Sequence, residues 1–152
     1  MRSINGEIKI IEKQIITKIT NSMELKLFTL CEGAFNHNGH LTIVNTIDFI
    51  NSSEFPYRAP QFGIAAKLDF VAAEAGEHRL QLICADPVGK QVPYIDSSIT
   101  VGESKDNTLL CVSVNMGGLL FAIPGMYVFS LLVDADEMGR IELKLNQKEK
   151  KQ

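Results

Sequence analysis

The stretch Gln61-Phe62-Gly63-Ile64-Ala65-Ala66-Lys67-Leu68-Asp69-Phe70 decides the fold class. Phe62, Ile64, Ala66, Leu68 and Phe70 share one parity, and Gln61, Lys67 and Asp69 take the other. Side chains of an extended strand change face at every residue, so this alternation predicts a strand with one dry and one wet face. The same period recurs outward along the chain. Tyr127, Phe129, Leu131 and Val133 repeat it, as do Ile141, Leu143 and Leu145 against Glu142 and Lys144. Eight strands are expected, over 24–34, 40–50, 61–71, 78–85, 91–101 (broken at Pro93), 108–115, 126–133 and 140–145. Turn chemistry separates them at Asn36-His37-Asn38-Gly39, Glu74-Ala75-Gly76-Glu77, Asp86-Pro87-Val88-Gly89 and Asp134 through Gly139. Asn and Gly tolerate positive φ there, and Pro fixes the entry. Two further segments, 55–60 with its two prolines and 117–125, read as irregular connections.

Regular turns with no helical period inside the body predict an all-β fold. The expected form is a two-sheet antiparallel β-sandwich, immunoglobulin-like, of about eight strands. Tyr127, opening a strand just after Pro124-Gly125, fits a tyrosine corner, in which the hydroxyl bonds nearby backbone. The expected core includes Leu27, Ile43, Ile64, Leu68, Leu82, Val112, Phe129, Leu131 and Leu143.

Composition sets the broad class. With 152 residues the chain is expected to form one domain, and its 45% hydrophobic and 22% charged residues are ordinary for a globular protein and argue against disorder. The net charge of −3 repels phosphate backbones, so nucleic acid is not an expected partner. Lys148, Lys150 and Lys151 fall in a charged tail over 147–152. Cys31, Cys84 and Cys111 are widely spaced inside apolar runs and form no CxxC, which points to three free thiols and a cytoplasmic location. No apolar run reaches membrane-helix length, so no membrane partner is expected.

Three regions follow: a leader over 1–22, a sandwich over 23–146 and the tail over 147–152. In the leader, Ile4, Ile8, Ile11, Ile15 and Ile19 make a helical stripe, although Ile, Thr17 and Thr20 disfavour helix. It is an amphipathic helix for self-association, an extra strand or tail, or sequence upstream of a true start at Met23. The sandwich is expected to fold without it.

From about Met23 to Leu145 the chain resembles a family of small bacterial β-sandwich proteins known only as a domain of unknown function. The resemblance rests on Cys31-Glu32-Gly33-Ala34, Gly39-His40-Leu41-Thr42-Ile43, Phe55-Pro56, Gly76-Glu77-His78, Asp86-Pro87-Val88-Gly89-Lys90, Pro124-Gly125-Met126-Tyr127-Val128-Phe129, and Asp134 through Gly139 before Ile141. It implies a cytoplasmic sandwich. It carries no known activity and no catalytic residues.

Candidate chemistry is sparse. His37 and His40 flank a turn but lack a carboxylate or thiol at useful spacing, so no metal is expected. His78 shares parity with Leu80, Leu82 and Cys84 and reads as a structural histidine at a strand start. Asp134-Ala135-Asp136-Glu137-Met138-Gly139 opens like a calcium loop, but Met138 and Leu145 occupy positions that need oxygen ligands. A polar turn is the reading. There is no nucleophile elbow and no phosphate loop, and no cofactor is expected. The expected function is a non-enzymatic cytoplasmic binding or assembly module, with a protein partner or a second copy of itself. A small-ligand or carbohydrate-binding module is the alternative, and an enzyme comes third. Loops on a rigid sandwich carry recognition, which singles out Tyr57, Arg58 and Tyr94 beside the prolines as the candidate surface.

Overall fold

The computed structural model describes residues 22–150; the leader readings fall on residues that lie almost wholly outside this range. The described residues form eleven strands: β1 (Glu24–His37), β2 (His40–Thr46), β3 (Phe49–Ser52), β4 (Tyr57–Ala59), β5 (Phe62–Phe70), β6 (Gly76–Ala85), β7 (Gln91–Val101), β8 (Thr108–Met116), β9 (Leu119–Phe121), β10 (Gly125–Val133) and β11 (Asp136–Gln147). One 3-10 turn, Ala72–Glu74, joins β5 to β6. One sheet has the order β2-β1-β5-β8, the facing sheet β3-β11-β10-β6-β7, and β4 and β9 form a small third sheet.

The all-β sandwich is as expected; the described residues hold eleven strands rather than about eight. The three additional strands have separate causes. The run 40–50 divides after Thr46, which still pairs with Cys31 of β1, one residue past Asn45 at φ 47. The chain then crosses at Ile47 and Asp48 and enters the second sheet as β3, parallel to β11. That parallel pair departs from a purely antiparallel sandwich. The two segments expected to be irregular pair with each other, Tyr57 opposite Phe121 and Ala59 opposite Leu119, as β4 and β9. Pro93 does not break β7. It sits at a register shift opposite β6, where the ladder absorbs its missing donor. The turn after β10 is also shorter than expected. Asp134 and Ala135 alone take positive φ, and Asp136 through Gly139 already belong to β11.

The core lies between the two large sheets. Phe62, Ile64, Leu68, Leu82, Phe129, Leu131 and Leu143 are buried there, with Val112 partly buried at their margin. Aromatic rings run through it. Phe62 stacks on Phe129 with centroids 5.6 Å apart, and Phe121 meets Tyr127 edge-on at 5.0 Å. The Tyr127 hydroxyl donates to the Ile123 carbonyl at 2.7 Å and accepts the Ile123 N–H at 3.3 Å, completing the tyrosine corner.

Leu27 and Ile43 are corrections to the expected core. A bulge between Leu25 and Leu27 moves Leu27 to the outer face of the first sheet. There Leu27, Leu41 and Ile43 pack on Cys31, Ala34 and Ala65 in a second, smaller cluster. The β1–β2 hairpin bends over this outer face, where Cys111 Sγ reaches the Gly39 carbonyl at 3.6 Å. β5 is thereby covered on both faces.

Candidate functional site

The ladder between β1 and β5 ends at Cys31 opposite Gly63, while β1 and β2 stay paired to His37 opposite His40. Beyond Cys31 the hairpin therefore leaves β5, and a groove opens at that end of the sheet. Asn115 of β8 bridges the divergence. Its Oδ1 accepts the Ala34 N–H at 2.9 Å and its Nδ2 donates to the Ala34 carbonyl at 2.8 Å. The side chain passes over Gly63, where a Cβ would lie 3.0 Å from Asn115 Oδ1 and 3.1 Å from Cys31 Sγ. Glycine is required there by space, not by backbone angle.

The groove has a volume of about 490 Å³, with Phe35, Val44, Pro60, Phe62 and Met116 as apolar walls. Phe35 and Val44 are 54% and 41% exposed. Glu32, Gln61 and Asn115 supply polar groups. A second groove of about 240 Å³ shares Glu32, Pro60 and Gln61 and continues to Phe49 and Tyr57. Glu32 accepts a hydrogen bond from Asn45 Nδ2 at 3.0 Å, and no described cation forms an ion pair with it. The two grooves form a trough with one carboxylate at its middle, its larger half mostly apolar and its smaller half of mixed polarity.

The candidate residues Tyr57, Arg58 and Tyr94 do not share this trough. Tyr57 lines its smaller end. Arg58 is exposed, and its Nη1 donates to the Gly118 carbonyl at 2.7 Å, pinning β4 to the turn before β9. Tyr94 turns inward and stacks on Phe129 at 6.1 Å. Burial pushes its hydroxyl up to about 12 and the Cys84 thiol likewise to about 12. Sequence reasoning missed Phe35, Val44 and Glu32. One signal was legible: Phe35 shares parity with Cys31 and Gly33 on the outer face and directly precedes the polar turn.

His37 and His40 face each other at the exposed hairpin end. Among the described residues, no three His, Cys, Asp or Glu side chains gather into a metal-holding group. His78 is held on both ring nitrogens. Nδ1 lies 2.6 Å from Asp134 Oδ2 and Nε2 lies 2.6 Å from the Glu74 carbonyl. Both partners are acceptors, so the ring satisfies both only as the imidazolium. The Glu74 carbonyl, then the Asp134 carboxylate, hold its pKa above the ordinary 6.5.

Comparison with known proteins adds the following. No curated protein matches the chain in sequence. The fold is similar to part of the alkylpurine DNA glycosylase AlkC of Pseudomonas fluorescens, solved bound to DNA containing an abasic site analog. The TM-score is 0.51 at 13% identity, over 86% of this chain and 32% of that one. A β-glucosidase from Listeria innocua gives a TM-score of 0.49 at 9% identity, over 81% of this chain and 16% of that one. An immunoglobulin-like protein from Pseudomonas aeruginosa gives 0.36 at 8% identity, over 82% and 97%. The chain thus spans about a third or less of the two enzymes, and likeness at these identities concerns the fold alone. Over residues 26–146 the sequence matches the family model of DUF6941, and the chain belongs to that family of unknown function.

Proposed function

We propose that the protein is a non-enzymatic, cytoplasmic protein-interaction module whose trough receives an extended segment of a partner protein. The exposed Phe35 beside the groove carries the proposal. A ring that size left half in water gains by being covered, by about 25 cal/mol for each Å² of apolar surface. The mostly apolar larger groove, with Phe49 and Tyr57 in the smaller groove beyond Glu32, suits a segment with two apolar side chains, since alternate residues of an extended chain face one side. The carboxylate of Glu32 between them favours a lysine or arginine in that segment.

The thiols support a non-enzymatic role, because burial raises the pKa of Cys31 and Cys84 and so suppresses the nucleophilic thiolate. His78, with both nitrogens engaged, is not free to shuttle protons. Three free cysteines, two of them buried, fit a reducing compartment. The experiment is a peptide array of short segments carrying two apolar residues around one Lys, with Glu-for-Lys controls. Lys-containing peptides should bind. Phe35→Ala should weaken them by about tenfold, as for an aromatic anchor, and Glu32→Gln should remove the preference for Lys. Binding to a glycan array with no peptide bound would reject the proposal in favour of a carbohydrate module.

A further inference from the structure

The leader carries the pattern that the trough suits. Ile11-Glu12-Lys13-Gln14-Ile15 sets an isoleucine at each end and a lysine at the centre. In an extended chain these three alternate residues face one side, two apolar groups about one cation. In a helix Lys13 would turn away from the side that Ile11 and Ile15 share. The other lysines of the leader lack the pattern. Lys9 lies between Glu7 and Ile11, and Lys18 between Ile16 and Thr20.

Charge and reach point the same way. Of the chain's 15 basic and 18 acidic side chains, residues 1–22 hold four and two, so the leader is cationic and the rest of the chain anionic. Glu32, at the middle of the trough, has no ion-pair partner among the described residues. From Glu24, β1 takes eight steps to Glu32, a rise of about 27 Å. Lys13 lies eleven steps before Glu24, and those steps span about 36–40 Å when extended. Lys13 therefore reaches Glu32 with slack. The backbone at Lys18, six steps from Glu24, spans about 20–22 Å and stops short.

We propose that residues 11–15 occupy the trough of their own chain as an internal ligand, with Lys13 on Glu32 and Ile11 and Ile15 in the two grooves. This internal seat rests on the reading of the trough as a site for an extended segment. It adds how that site is regulated: a partner binds by displacing the leader. A tether holds the leader at an effective concentration of about a millimolar. A segment with a Kd of only about 100 μM then fills the trough about nine-tenths of the time, and a competing peptide binds about tenfold more weakly.

The test is a pair of measurements on the full chain. A carbodiimide joins a lysine to a carboxylate in direct contact with it, and mass spectrometry of the digest identifies the joined residues. In dilute protein Lys13 should be joined to Glu32, in preference to Lys9 and Lys18, within chains that keep the single mass of 16.8 kDa. The second measurement is the affinity for a Lys-centred peptide with two apolar residues, in the wild type and in Ile11→Asp/Ile15→Asp. The variant should bind that peptide about tenfold more tightly and lose the link. The link in the wild type does not depend on how the variant folds. Absence of the Lys13–Glu32 link would overturn the proposal. So would a link found only between chains, which would give the leader to a second copy. Equal peptide affinity in the two proteins would overturn it too, while leaving the trough as a partner site. A link that forms where neither protein binds any peptide would keep the leader in the trough and reject the partner reading instead.

Discussion

At the residue scale, His78 ties two distant turns together. Its ring donates to the Glu74 carbonyl of the 3-10 turn and to Asp134 at the end of β10, while Asp134 also accepts the Arg79 N–H at 2.9 Å. Phe70 flanks the ring at 5.1 Å. The folded pKa of His78 is raised, so its contribution is complete below about pH 6.5 and is lost as pH rises through the folded value. Asp134 is held low, chiefly by His78 and then by the Arg79 N–H, so its share is lost as pH falls below its ordinary 3.8. The latch is therefore strongest between those limits. His78→Gln should lower the melting temperature more at pH 5.5 than at pH 9, and the measurement is a melt at each pH. An equal loss at both would show that the ring is not charged in the fold. The sequence placed His78 correctly as a structural histidine. It could not supply Asp134, which lies 56 residues away and meets the ring only once β6 and β10 are paired.

At the scale of elements, the pair Gly63 and Asn115 decides where β1 parts from β5. Asn115 satisfies both backbone groups of Ala34, which β5 no longer reaches. Asn115→Ala should cost about 1–3 kcal/mol, the range for leaving such groups unpaired. Gly63→Ala should cost a similar amount, about 1–3 kcal/mol, because its Cβ must displace the amide, the Cys31 thiol or the Gly33 backbone. Denaturant melts of the two single variants and the double variant check this. If the glycine serves only to admit the amide, the double variant should cost less than the sum. Alternation revealed β5, β6, β8 and β10 because each turns one continuous face to the core. It misjudged 40–50, where the chain leaves the first sheet after Thr46 and enters the second at Phe49, so that Ile50 rather than Phe49 turns to the core. It missed β4 and β9, which at three residues each are too short to show a period. The groove was hidden for a related reason. It lies where two strands diverge, and divergence is a property of pairing rather than of either sequence.

At the scale of the molecule, the two large sheets are joined unequally at their two sides. On one side β2 passes directly into β3 through Ile47 and Asp48, and the Ile47 N–H is tied to the Leu30 carbonyl at 2.8 Å. Nearby, Gly139 of β11 lies so close to Leu25 that an added Cβ would come within 2.6 Å of its Cδ2. On the other side the margins are β8 and β7, joined by the connection between Val101 and Thr108. The first side behaves as the spine of a book and the second as its open pages. Breathing motions that part the covers should swing about the spine, so amide hydrogens of β7 and β8 should exchange with solvent sooner than those of β5, β10 and β11 near Leu143. Mass-resolved exchange would show this as a gradient across each sheet rather than along each strand. A uniform rate over all strands would mean that the covers part only when the whole domain unfolds.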